Sequence, residues 1–226
     1  MAKNMFITAK FLSVLYGIAL VLLSLPANSN ENGEMSYSKI NKMLTIIDEY
    51  AKSPYTGLIA TIKPEVEEIQ FSDIYLAITH EGKNVKNLVV DDEGLVDFPL
   101  LPVEMGKNAR LEINQPKGSV SLDFTAGIKP IRKNKVAYSE VFGVLDDLET
   151  VASELVGIPS WLIPDIDYIE FSFNSTASIT LQYADNSTVH QTKDDFNIQI
   201  ERNDDLKASG AMLIFSKLPQ KVTVIK

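Results

Sequence analysis

The chain has 226 residues, 21 Lys plus Arg against 30 Asp plus Glu, no cysteine, and a formal net charge of −9. An acidic surface repels phosphate backbones and has little general attraction for anionic lipid, which argues against nucleic-acid binding and membrane adsorption. Without cysteine there are no disulfide staples and no thiolate metal ligands, so stability has to come from a packed core.

The N-terminus carries Lys3 and Lys10 ahead of an uncharged run from Phe11 to Leu25, followed by small and polar residues. This is the pattern of a secretory signal peptide. The run of 15 residues is short of the roughly 20 needed to span a bilayer. No stable span is therefore expected after cleavage, with an uncleaved anchor as the alternative. Cleavage after Ser29 places Ala27 and Ser29 at the small-residue positions. Removing residues 1 to 29 takes two lysines and no acids, leaving 19 basic against 30 acidic side chains, a balance of −11.

After a polar leader, residues 37 to 51 place Tyr37, Ile40, Met43, Leu44 and Ile47 at intervals of three and four, which predicts an amphipathic helix ended by Pro54. Strands are expected near 65–72, 74–80, 86–91, 95–100, 109–114 and 119–126. Asp91-Asp-Glu-Gly94 suits a hairpin turn, and Gln115-Pro-Lys-Gly118 suits a proline-led turn between strands. The stretch Gly127 to Lys135 holds Lys129, Arg132, Lys133, Lys135 and Pro130, and reads as a basic linker. Beyond it, Tyr138, Val141, Phe142, Leu145, Leu148, Val151, Ala152 and Leu155 predict a second helix, with Asp146, Asp147, Glu149 and Glu154 on its polar face and Gly157 as its stop. Further strands are expected near 166–173, 177–183, 187–191, 195–201, 211–216 and 221–225, the last two joined by Lys217-Leu-Pro-Gln220.

The two halves also read alike. Pro64-Glu-Val-Glu-Glu-Ile-Gln-Phe-Ser72 returns as Pro164-Asp-Ile-Asp-Tyr-Ile-Glu-Phe-Ser172, and Tyr37, Leu44, Gly57 and Ile78-Thr79 reappear at a similar offset as Tyr138, Leu145, Gly157 and Ile179-Thr180. The expected architecture is α+β: a signal peptide over 1–29, a repeat over 30–127, a basic linker over 128–135 and a second repeat over 136–226. Each repeat is an N-terminal helix followed by a mostly antiparallel β-meander or a small sandwich.

Candidate chemistry is sparse. His80 and His190 are the chain's two histidines, and they sit outside any metal-ligand spacing. There is no Gly-x-Ser-x-Gly elbow and no phosphate-cradling glycine loop. The acids Asp91, Asp92 and Glu93 are contiguous, with Asp97 after Gly94-Leu-Val96, and the cluster is not spaced as a calcium loop, so turn chemistry accounts for it, as it does for Asp194-Asp195 and Asp204-Asp205. No catalytic residue, metal or cofactor is assigned.

The strongest contact candidates are Trp161, Leu162 and Ile163, in an apolar loop between Gly157 and Pro164 that carries the single tryptophan. They either face a ligand or partner or plug the end of the core. Val136-Ala-Tyr-Ser139, Trp161 with Pro164-Asp165, Ile169-Glu-Phe171 and Gln115-Pro-Lys-Gly118 together resemble an uncharacterised family of exported bacterial proteins. The resemblance implies a periplasmic location and transfers no catalytic residue. The expectation is a non-enzymatic binding or envelope-interaction module whose partner is an envelope protein or an apolar ligand. The alternative is a carboxylate-dependent hydrolase of envelope sugars or peptides.

Overall fold

The computed structural model describes residues 34–157 and 166–225. The chain is α+β and mostly β. The first half runs β1 (Glu34–Ser36), α1 (Ser38–Tyr50), β2 (Thr56–Pro64), a 3-10 turn (Phe71–Asp73), β3 (Leu76–His80), β4 (Lys83–Leu88), β5 (Leu95–Val96), α2 (Val103–Asn108), β6 (Arg110–Ile113) and β7 (Val120–Ile128). The second half runs β8 (Lys135–Ala137), α3 (Tyr138–Val156), β9 (Tyr168–Ser172), β10 (Ser178–Tyr183), β11 (Asn186–Gln191), β12 (Asn197–Glu201), α4 (Asp204–Ala208), β13 (Met212–Phe215) and β14 (Lys221–Ile225).

The first half makes a four-stranded sheet in the order β1-β6-β3-β4 and a three-stranded sheet in the order β5-β2-β7. The second makes sheets in the orders β11-β10-β13-β8 and β12-β9-β14. Every pairing among the described residues is antiparallel. In each half the inner faces of both sheets and one helix share a core, a small sandwich and not a simple meander.

The long helices follow the apolar stripes. Ile40, Met43 and Ile47 of α1 are buried, as are Val141, Phe142, Leu145, Leu148 and Val151 of α3. One turn apart on α3, Tyr138 and Phe142 stack with ring centroids 4.0 Å apart. Gly157 closes this helix at φ +68, its N–H donating to the Ser153 carbonyl at 2.8 Å. Gly94 serves the expected hairpin turn at φ +78, where a Cβ would collide with the Ile62 carbonyl oxygen.

Two expectations fail. The strand expected at 65–72 is absent, and the strand runs over Thr56–Pro64 instead, paired along its whole length with β7. That partner is some sixty residues downstream in sequence, and the Glu-rich stretch after Pro64 is solvated. The nine-residue match consequently does not relate equivalent places. Phe71 lies in a 3-10 turn, whereas Phe171 is fully buried in the central strand β9. Gly57 is a strand residue paired with Gly127, whereas Gly157 caps a helix. Ile78 pairs with Leu111 but Ile179 with Phe215, so that match is slipped by one pleat.

Other matches occupy like positions. Tyr37 and Tyr138 each precede or open the long helix, each is fully buried, and each donates its backbone N–H to an alanine carbonyl, Ala109 at 3.0 Å and Ala211 at 2.8 Å. The connector Gly127 to Lys135 exposes its four basic side chains but buries Ile131 in the second core.

Asp147 corrects the helical reading. It is not on a solvated face but 3% exposed. Its Oδ2 accepts the N–H of Lys52 at 3.0 Å, the N–H of Ser53 at 2.8 Å and the Thr56 hydroxyl at 2.6 Å, tying α3 to the chain that leaves α1. Ser53 Oγ adds a bond to the Glu140 carbonyl, and Leu155 packs against the first core. The helix thus serves both halves.

Candidate functional site

The chain leaving β12 turns sharply into α4, and the turn is built from local chemistry. Asn203 is the N-cap, its side chain accepting the Leu206 N–H at 3.0 Å, and Asp204 and Asp205 fill the first turn where the helix dipole favours anions. Tyr138 holds the turn from inside: its hydroxyl donates to the Glu201 carbonyl at 3.1 Å and accepts from Asn203 N–H at 2.9 Å. Burial, chiefly, pushes the Tyr138 hydroxyl up to about 12.

Arg202 stands between these anchors. Its backbone N–H donates to the Asp167 carbonyl at 2.6 Å. Its guanidinium reaches Asp146 at 2.6 Å, Glu149 at 3.4 Å and Asp204 at 3.7 Å. Burial opposes the charge of Arg202, but those three carboxylates outweigh it and hold the group above the ordinary guanidinium value. Lys207 also pairs with Asp146.

This bracket borders an open groove of about 620 Å³ between the β10–β11 hairpin and α4. Leu181, Tyr183, Ile200 and Leu206 supply apolar wall, and Thr188, His190, Asn203 and Ser209 supply polar groups. On the other side of Glu201 and Arg202 lies a second recess of about 360 Å³, edged by Glu149, Asp167 and Asp204. The hairpin turns over Ala184 and Asp185, with Ala184 at φ +46, and aims Thr188 and His190 inward opposite Leu181 and Ile179.

In the first half the chain that enters α2 is packed inward. Leu101 stands just before α2, 8% exposed, and Asn41 brackets its backbone, accepting the N–H at 2.8 Å and donating to the carbonyl at 3.1 Å. Tyr37 donates its hydroxyl to the Pro99 carbonyl at 2.6 Å. Phe98 fills the space against Tyr37 and Phe124. Burial and then the nearby Asp97 carboxylate push the Tyr37 hydroxyl well above the usual tyrosine value.

Trp161, Leu162 and Ile163 lie outside the described residues, as does the leader over 1–29. The two histidines are not brought together: His80 ends β3 opposite Lys83, while His190 lies within β11 opposite Ile179. Asp91 serves its turn, Oδ1 accepting the N–H of Glu93 and of Leu95. Among the described residues no group of three or more His, Cys, Asp or Glu is placed to hold a metal, and no helix is long and apolar enough to cross a membrane.

Sequence reading missed the groove. Its only local signal was Arg202-Asn203-Asp-Asp205, a cation followed by a helix cap. No family model matches the chain, and no curated protein or solved structure is similar to it.

Proposed function

We propose that the chain is an exported periplasmic binding module without catalytic activity, made of two tandem copies of one helix-plus-sheet unit. The second copy holds a ligand or envelope partner in the groove between the β10–β11 hairpin and α4. Support for the duplication comes from the common element order, the common strand orders and the like bonding of Tyr37 and Tyr138. The observation that carries the function is the contrast at one position of the fold. When Tyr37 on the Pro99 carbonyl is matched with Tyr138 on the Glu201 carbonyl, buried Leu101 of the first half stands where the second has exposed Asn203, beside an open trough. Filling such a place with apolar residues is the stabilising choice, so leaving it open points to use.

Hydrolysis by paired carboxylates has less behind it. Asp146, Glu149 and Asp204 are engaged with Arg202 as its counter-ions. The test is a photocrosslinking residue placed in the full chain at Thr188, in the groove, or at Lys86, at the corresponding place on β4. Adducts with envelope components from position 188 and none from 86 are expected. Equal adducts from both, or adducts from 86 alone, overturn the reading.

A further inference from the structure

Strand edges expose rows of unpaired N–H and C=O groups, and proteins usually blunt them with charge, proline, bulges or short length. The edges of the two four-stranded sheets, and β5, differ in this respect. β1 and β8 have three residues each and β5 has two. β4 has six but carries Lys83 and Lys86, and its pairing with β3 shifts register at Ile78/Thr79. β11 also has six residues, Asn-Ser-Thr-Val-His-Gln, with no acid, lysine, arginine or proline, and it pairs with β10 in unbroken register from end to end. Val189 at its centre is 54% exposed. The hairpin closes through a two-residue turn, which makes Tyr183/Asn186 the first hydrogen-bonded pair. Counting from there, Ser187, Val189 and Gln191 present their backbone N–H and C=O outward, away from β10.

The surroundings say what would fit. The groove that β11 borders is lined by Glu201 and Asp205 against Arg202, and a recess that shares Glu201 and Arg202 adds Glu149, Asp167 and Asp204. The chain as a whole carries −9, so a second copy of it meets net repulsion and a cationic partner meets attraction. We propose that β11 is a docking edge for an extended, lysine- or arginine-bearing polypeptide segment, which adds as a further strand and directs basic side chains over the groove rim. This rests on the groove reading above and names its partner. Main-chain bonds to Ser187, Val189 and Gln191 supply affinity, and the acidic rim selects charge.

The test uses the full chain and three nine-residue probes: alternating Lys and Val, alternating Glu and Val, and the Lys/Val peptide N-methylated on the amides of one edge. The Lys/Val peptide should bind at least tenfold more tightly than the Glu/Val peptide. On binding, amide exchange at Ser187, Val189 and Gln191 should slow at least tenfold. Methylation should cost at least tenfold in affinity on the edge that pairs. Val189→Pro removes an outward N–H while leaving the β10 bonds, and should abolish binding of the Lys/Val peptide in a folded protein, checked by an unchanged circular dichroism spectrum. Should that substitution perturb the fold, Val189→Lys, which adds edge charge, gives the same comparison. Binding that survives both variants, or that is indifferent to probe charge, overturns the proposal. So does protection of the three amides in the chain alone with dimerisation, which would make a second copy the occupant. If Leu206→Glu weakens capture while the β11 variants do not, the groove reading stands and strand addition falls; if neither matters, both fall.

Discussion

Asp147 gives the sharpest test of how the halves are joined. Its Oδ2 is the shared acceptor for the Lys52 and Ser53 N–H groups and for the Thr56 hydroxyl, and Thr56 itself is 2% exposed. Asp147→Ala strands three donors, two of them backbone N–H groups at the bend after α1. With about 1–1.5 kcal/mol lost for each of the three bonds, two of them only partly buried, the expected cost is about 3–4.5 kcal/mol, at the low end for deleting one partner of a buried polar pair. That is a large share of the roughly 5–15 kcal/mol that holds a domain folded. Asp147→Asn keeps an acceptor oxygen at the site but loses the charge, and should cost about 1–2 kcal/mol. Urea denaturation of both variants, followed by tyrosine fluorescence and by circular dichroism, measures the difference. An Asp147→Ala cost below about 1 kcal/mol, or an Asn variant as damaging as the Ala variant, would refute the clamp argument.

Three further outcomes are expected. Tyr37 and Tyr138 both hold their protons more tightly when folded than the ordinary tyrosine value of 10.0, Tyr138 to about 12. A pKa raised by folding stabilises fully below the unfolded value, so stability should fall as pH rises from 10 through 12, and Tyr138→Phe should flatten that fall in alkaline urea titrations. A Cβ at Gly106 would collide with the Asn41 carboxamide that brackets Leu101, so Gly106→Ala should cost about 1–3 kcal/mol by thermal denaturation. An unchanged midpoint would show that Asn41 does not hold this place. Trp161→Ala should weaken partner capture by the full chain at an unchanged melting temperature; a large drop in that temperature would make Trp161 a core residue.

Local chemistry was legible wherever one stretch of chain decides its own form. The two long helices begin and end within two residues of the positions that the apolar stripes and Gly157 indicate. The six strands expected in the second half lie where alternation and turn residues put them, and the Asp91–Gly94 turn closes with the Gly94 N–H on the Asp91 carbonyl, while the expected Gln115–Gly118 turn sits one residue later, the Ser119 N–H bonding the Pro116 carbonyl. The short helices α2 and α4 and strands β1 and β8 escaped notice, because fewer than two turns or three residues carry no period.

The sequence by itself determined the acidic, cysteine-free character of the chain, its α+β class, the faces of its long helices and most of its turns. Each of these depends on residues within a few positions of one another. Tertiary structure alone decided that β2 runs over Thr56–Pro64, since only pairing with β7 selects that stretch over the charged one beside it. It also decided that Asp147 is buried, because the side facing away from its own core is covered by the other half. The groove has the same origin. Ile200, Arg202, Tyr183, His190 and Leu206 come from separate elements, and a space between elements is a property of their packing that no segment carries alone.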